Sequence, residues 1–231
     1  MVGQQEKRVS VFEKMLTKTA TVSQVRIWDS NKICEVDIHL PNVDFTKWNK
    51  TPAIKCRTSA MHYTDYTPSM WDKDEHTCTL YIDISHKGKG SQWAKAMKEN
   101  DTLHYLHIDF ENHYPIDGKQ LVFLGDQTAI GHFCALQQLA NDKAQISGHI
   151  CFNEQQTAKD FTKNCTGLPI ESLTSYDEIY HKTEQLIQQL DDKENTIFYI
   201  VGYAKMVVHL RKYLKSQDII GNQIKSKGFW Y

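Results

Sequence analysis

Two hydrophobic patterns divide the chain. Up to about residue 110, apolar and polar positions alternate. In residues 77–85, TCTLYIDIS, the residues Cys78, Leu80, Ile82 and Ile84 alternate with Thr79, Tyr81 and Asp83. A period of two puts each set on its own face of a strand, and one apolar set means one buried face. Residues 20–29 (ATVSQVRIWD) and 33–40 (ICEVDIHL) read as two more strands, joined by the turn signal SNK. Residues 53–63 (AIKCRTSAMHY) and 101–110 (DTLHYLHIDF) are strand-like as well. Short strands at this spacing predict an antiparallel sandwich or small barrel. One helix interrupts them over 91–100 (SQWAKAMKEN), with Ser91 as N-cap and Trp93 and Met97 on one face.

From residue 120 the pattern changes. Residues 120–125 (QLVFLG) and 196–202 (TIFYIVG) are continuous apolar runs, fit for strands buried on both faces. A helix is predicted over 129–142, a strand over 145–152, a short helix near 155–163 and an amphipathic helix over 176–190. After the second apolar run, Met206, Leu210 and Leu214 recur every four residues. Strand alternating with helix predicts a parallel α/β layer. The polar stretch 110–120 (FENHYPIDGKQ) carries both Pro and Gly and is where the domains part. The expected architecture is a mixed two-domain one: an antiparallel β domain over 1–115 and a parallel-sheet α/β domain over 116–231.

Composition narrows the function classes. The chain has 231 residues, 40% hydrophobic and 24% charged, with a net charge of −1. That balance excludes a protein built around bulk nucleic-acid binding, which needs clustered Lys and Arg. No polybasic run points to an anionic membrane surface, and no apolar run approaches the ~20 residues of a membrane span. Residues 1–16 show no signal-peptide core, so a cytoplasmic location is expected. The six cysteines are scattered without a CxxC pair and read as small buried apolar residues. His104 and His107 lie three apart on a predicted strand and face opposite ways, so no metal site is expected there. Oligomeric state is not legible.

Five stretches carry candidate chemistry. LGDQTAIG (124–131) and VGYAKM (201–206) each end a buried strand in glycine before a helix. In open α/β sheets ligands bind at such carboxyl ends, and helix amino ends attract phosphate. Each also reads as an ordinary turn with a capping residue. HKGKGSQW (86–93) leads two glycines and two lysines into a helix, as an anion cradle or as a hairpin loop with solvated lysines. HYTDYTP (62–68) ends a strand at Pro68, which cannot donate to a ladder. There Tyr66 either faces a flat ligand or packs on the core. KGFWY (227–231) is either an aromatic surface for something flat or a final edge strand.

In this order, YTP (66–68), HKGKGSQWA (86–94), LGDQTAIG (124–131), VGYAKMVVHLRKYL (201–214) and KGFW (227–230) resemble the siderophore-interacting protein family of ferredoxin-reductase-like flavoproteins. The resemblance runs from about residue 20 onward. It implies a six-stranded antiparallel barrel holding FAD and an α/β domain binding NAD(P)H, with hydride passing to the flavin and electrons to a ferric siderophore. Tyr66 would pack on the isoalloxazine and Thr67 would hydrogen-bond near its reactive nitrogen, the pair carrying the catalytic role, with Pro68 beside them. Gly88, Gly90 and Ser91 would cradle the pyrophosphate, with His86 and Trp93 nearby. Gly125, Asp126, Gln127 and Thr128 would line the nicotinamide-nucleotide site opposite Gly202 and Met206. Trp230 and Tyr231 would lie near the flavin or the chelate entrance.

Two departures matter. Where the family carries an Arg that pairs with the flavin phosphates, this chain has Thr64. Lys87, Lys89 or Arg57 are the candidate replacements. The family's Arg after the final Trp is also missing, so Lys50, Lys55 and Arg57 are the candidate cations for an anionic chelate. The alternatives to siderophore reduction are a general flavin or electron-transfer reductase, and a non-catalytic relative that binds a chelate or partner and holds flavin weakly. The stretch after the strand ending at Phe152, NEQQ, has no Arg for a 2′-phosphate and leans to NADH, whereas the family leans to NADPH.

Overall fold

The computed structural model describes residues 11–141 and 143–231. Residues 1–10, part of the stretch read above for a signal core, and Asp142, the end of the predicted helix 129–142, lie outside them. The chain forms two compact units, one ending at Glu111 and the other running from Asn112 to Tyr231.

The first unit follows the alternating pattern. Its elements are α1 (Val11–Leu16), β1 (Lys18–Ile27), β2 (Ile33–His39), β3 (Pro52–Ser59), β4 (His62–Tyr66), β5 (Pro68–Asp72), β6 (Thr77–Asp83), α2 (Lys89–Ala96) and β7 (Thr102–Phe110). The sheet order is β4-β3-β7-β1-β2-β6-β5, every pair antiparallel. Its two ends are halves of one strand. β4 pairs with β3, the chain bends at Thr67, and β5 pairs with β6 from Pro68 onward. Pro68 has no N–H to give a ladder, so the switch of partner falls where a ladder bond is already impossible. Counted this way the sheet is the expected six-stranded antiparallel barrel.

The alternating apolar residues fill it. Ala20, Val22, Cys34, Val36, Ile38, Ile54, Cys56, Cys78, Leu80, Ile82 and Leu103 form one buried cluster. The helix α2 packs against β2, β3 and β6, adding Ala94 to that cluster and Trp93 and Met97 to its margin. The six cysteines are buried and form no disulfide, as their scatter predicted.

One buried ion pair ties α1 to the β3–β4 hairpin. Glu13, 2% exposed, accepts from Arg57 Nε at 2.7 Å and Nη2 at 3.2 Å, from the Met61 backbone N–H at 3.0 Å and from Tyr63 OH at 3.3 Å.

The second unit follows the continuous apolar runs. It contains β8 (Gln120–Asp126), α3 (Ile130–Ala140), β9 (Ile146–Cys151), α4 (Gln155–Asn164), β10 (Glu171–Leu173), α5 (Tyr176–Gln189), β11 (Thr196–Tyr203), α6 (Ala204–Ser216) and β12 (Ile224–Trp230). The sheet order is β10-β9-β8-β11-β12, all parallel. β8 and β11 lie at its centre, and six of seven and seven of eight of their residues are buried. The strand order reverses between β8 and β11, which makes their carboxyl ends the topological switch point.

Beneath β12 the core holds a histidine pair. His113 Nδ1 and His132 Nε2 lie 2.8 Å apart, and both rings are buried. The other ring nitrogen of His132, Nδ1, has no partner among the described residues. Burial pushes His132 well below its ordinary value of 6.5. His149 on β9 is pushed down by burial too.

Two predictions come from these buried groups. Removing one partner of a buried ion pair strands the other. Glu13→Ala is expected to cost roughly 3–5 kcal/mol in denaturant unfolding, and Glu13→Leu combined with Arg57→Met markedly less. For the histidines, the unfolded chain takes up protons near pH 6.5 that the folded chain refuses, so stability rises with pH there. Stability is therefore present above about pH 6.5 and is lost as the pH falls toward 5, by roughly 1.4 kcal/mol per unit for each such group. His132→Gln should flatten that dependence while leaving the share of His149.

Candidate functional site

The bend at Thr67 sets the barrel side of the site. Cross-strand register places Tyr66 opposite Ile54 and Thr64 opposite Cys56, so these four share the face that turns into the core. Lys55, Arg57, Tyr63 and Asp65 share the other face. Tyr66 stacks on Trp93 of α2 with ring centroids 5.6 Å apart and planes 18° apart. Burial raises its phenol well above the ordinary range, so the hydroxyl stays neutral.

Next to Tyr66 lies the glycine loop. Gly88, not Ser91, is the N-cap of α2, and the helix spans 89–96 rather than 91–100. Ser91 is buried and donates from Oγ to the His86 carbonyl at 2.7 Å, so it braces the loop from inside instead of capping it. The Gly88 N–H donates to His86 Nδ1 at 2.9 Å. No side chain caps α2, and Lys87 and Lys89 are exposed. Open first-turn N–H groups with two lysines beside them suit an anion. Both glycines also have internal reasons. A Cβ on Gly88 would meet the His86 ring at 2.7 Å, and one on Gly90 would fall on the Tyr66 hydroxyl oxygen.

Two of the expected chelate cations are engaged elsewhere. Arg57 is not a rim cation: its guanidinium is buried against Glu13. Lys55 is bound at 2.8 Å to Asp65 across the hairpin. Both lie on the face away from Tyr66 and Thr64, so neither stands in for the missing Arg. Lys50 is half-buried in the loop before β3. Lys87 and Lys89 are the cations left beside the loop.

In the α/β domain the predicted residues meet at the switch point. Gly125 pairs in register with Val201, which puts Asp126 beside Gly202 and Tyr203. The Asp126 carboxylate, 1% exposed, accepts five hydrogen bonds. Oδ1 accepts from Thr128 N–H at 3.0 Å and Thr128 Oγ1 at 2.5 Å. Oδ2 accepts from Tyr203 N–H at 2.8 Å, Trp230 Nε1 at 3.1 Å and Tyr176 OH at 3.4 Å. Burial pushes the carboxyl up and the donors from Thr128, Tyr203 and Trp230 pull it back. Gly202 has φ +124°, and a Cβ there would sit 2.5 Å from Asp126 Oδ1. The glycine is what lets the carboxylate in.

This corrects several expected roles. A carboxylate has about four lone-pair sites, so Asp126 has nothing left for a ribose hydroxyl. Met206 is fully buried in the core with Ile200 and Leu210, and Gln127 is buried as well. Gly125 is closed over by Phe133 and Ala129. The surface at this end is formed instead by Thr128, Tyr203 and Trp230, the last 39% exposed and stacked on Tyr203 at 4.3 Å and 21°. The end of the chain is thus an edge strand that also presents an aromatic surface. Tyr176, the first residue of α5, packs against Tyr203 with ring centroids 5.4 Å apart and planes tilted by 45°. Nothing in its local sequence marks it, because only the register of distant strands brings it there. A groove lined by Lys119, Gln120, Lys143, Gln145 and Asn195 lies at the amino ends of the strands, the opposite end from the switch point.

Among the described residues no group of three or more His, Cys, Asp or Glu is arranged to hold a metal, and no helix is long and apolar enough to cross a membrane. No protein-family model and no curated protein matches the chain. Solved structures do. A siderophore-interacting protein from Aeromonas hydrophila superposes with a TM-score of 0.71 at 13% identity, covering 93% of this chain and 91% of its own. The flavohaem-like FAD/NAD-binding domain of a nitric oxide dioxygenase from Vibrio cholerae gives 0.68 at 13%, with 93% and 99% covered. The ferredoxin reductase of carbazole 1,9a-dioxygenase gives 0.75 at 14%, with 92% and 69% covered. The fold is therefore the two-domain one of ferredoxin-reductase-like FAD/NAD modules, an antiparallel barrel followed by a parallel α/β sheet. Siderophore-interacting proteins are among the structures similar to this chain across nearly its whole length.

The contact between Gly90 and Tyr66 gives a clean test of the barrel side. Gly90→Ala is expected to destabilise the protein by about 1–3 kcal/mol through overpacking. Tyr66→Phe should restore most of that loss, because the next atoms lie at 3.6 Å and 3.8 Å, ordinary contact distances. Urea unfolding of the two single variants and the double variant measures this, and equal losses with and without the hydroxyl would show that the contact is misplaced.

Proposed function

We propose that this chain is a flavin-dependent oxidoreductase that draws electrons from NAD(P)H and delivers them to a ferric siderophore in the cytoplasm. The observation that carries the reading is the bent β4–β5 strand, which brings Thr64 and Tyr66 beside the uncapped amino end of α2, with Thr67 at the bend. A planar ring with a charged phosphate tail fits that arrangement. The ring would lie by Tyr66 and Thr67, and the phosphates would take the open N–H groups of α2 with Lys87 and Lys89 in support. When bound there, FAD supplies the ability to accept a hydride and pass electrons on singly. The protein's own residues orient and shield: Trp93 fixes the plane of Tyr66, His86 and Ser91 brace the loop, and the Tyr66 hydroxyl stays protonated. The switch point between β8 and β11 is the nicotinamide-nucleotide end, with Thr128, Tyr203 and Trp230 at its surface. Similarity to siderophore-interacting proteins supports the ferric chelate as acceptor. Lys50, in the loop before β3, is a candidate for its anionic groups.

A second reading rests on Thr64. With Arg57 and Lys55 on the other face, neither replaces the family's Arg at the phosphates. That favours weak flavin binding, and with it a flavin-exchanging electron-transfer reductase or a chelate-binding relative without turnover.

Purified full chain supplied with FAD is expected to take up the yellow flavin absorbance. It should oxidise NADH or NADPH only when a ferric siderophore is present, with Fe(II) captured by a ferrous chelator. Protein that stays colourless in excess FAD rules out both reductase readings. Turnover that ignores the siderophore but reduces other acceptors selects the second. Thr64→Arg should tighten FAD by about ten- to a hundredfold, the worth of a charged hydrogen bond. An unchanged Kd on titration would refute the idea that Thr64 is what weakens the site.

A further inference from the structure

Asp126 is where four separate segments of the α/β domain converge: Thr128 after β8, Tyr176 of α5, Tyr203 of β11 and Trp230 of β12. Its lone pairs are spent inside the protein, so it cannot also be a ligand group. What it controls is the indole. Trp230 lies at the end of an edge strand, where a large apolar side chain has few neighbours to fix it. Two contacts hold it flat: the stack on Tyr203 and the indole N–H on Asp126 Oδ2. Tyr203 is held in turn by its own N–H on the same oxygen and by a tilted ring contact with Tyr176. Three rings thus gather around one carboxylate, two of them stacked, and the indole, 39% exposed, lies in register with Tyr203 at the carboxyl end of β11.

We infer that Asp126 is a positioning residue which locks Trp230 on Tyr203, so that the exposed part of the indole forms the stacking surface for a planar ring of a nicotinamide–adenine dinucleotide bound at the β8/β11 crevice. Tyr176 is the third ring of that assembly. A pre-aligned ring loses little freedom when a ligand stacks on it, which is how a residue that never touches the ligand raises affinity. The inference rests on the reading of this domain as the nucleotide-binding one.

The test uses the full chain, with NAD⁺ and NADP⁺ as probes and calorimetric titration for Kd. Trp230→Ala should weaken the preferred nucleotide about tenfold, the usual scale of one ring stack. Asp126→Asn replaces one acceptor by a donor facing two N–H groups and should weaken it to a similar degree. Trp230→Phe keeps a ring but loses the indole N–H, and Tyr176→Phe loses one hydrogen bond. Each should weaken binding by a smaller factor, about two- to fivefold. The deciding measurement is non-additivity: adding Asp126→Asn to Trp230→Ala should cost little further affinity. If the two losses multiply, or if folded Asp126→Asn binds as the wild type does, Asp126 does not act through the indole. If Asp126→Asn fails to fold, unchanged binding by both Trp230→Phe and Tyr176→Phe overturns the proposal. A wild-type chain that binds neither nucleotide overturns the nucleotide-domain reading and this inference with it, a result distinct from binding that is merely insensitive to the substitutions.

Discussion

A carboxylate buried at the end of the first strand of a parallel sheet has to be satisfied, and much of the α/β domain's ligand end follows from how Asp126 is satisfied. It needs the helix-opening turn at Thr128, the backbone N–H of Tyr203 and two aromatic donors from elements 50 and 104 residues away. Gly202 is required because any side chain there would collide with the carboxylate. Leaving one such charge unpaired in a protein interior costs several kcal/mol. The position of the edge strand β12 and of its aromatic residues is therefore fixed by electrostatics as much as by the β11–β12 ladder.

The barrel depends on a different constraint. A strand that must serve two partners can change over only where its ladder is already broken, and Pro68 provides that break. The same bend leaves Tyr66 with its hydroxyl against Gly90 and its ring on Trp93. Closing the barrel and shaping the proposed flavin end are thus one local event over three residues. The buried pair of Glu13 and Arg57 secures the hairpin leading into it.

Much of this was legible in the sequence. Period-two alternation marked the β domain, and the apolar runs ending in Gly125 and Gly202 marked the two central parallel strands and their ligand ends. The order of the five short motifs named the fold. Roles were harder to read than places. Asp126, Gly202, Gly88 and Gly90 all sit where a cofactor end is expected, yet each also has an internal partner that a linear reading cannot show. Met206 repeats with a helical period because it is core. Arg57 has the composition of a rim cation, but its partner Glu13 comes from an α1 that no periodicity announced. Tyr176 reaches the site only through strand register. Charge, spacing and motif locate a site, whereas tertiary partners decide which residues remain free to act.

The central claim is that the barrel holds FAD and the α/β domain reduces it. The most direct measurement is anaerobic: full chain is loaded with FAD, NADH or NADPH is added, and the visible flavin absorbance is followed. The account predicts that the absorbance bleaches with one of the two nucleotides and returns when a ferric siderophore is added. A flavin band that never forms on the protein, or that forms and is unaffected by either nucleotide, would contradict it.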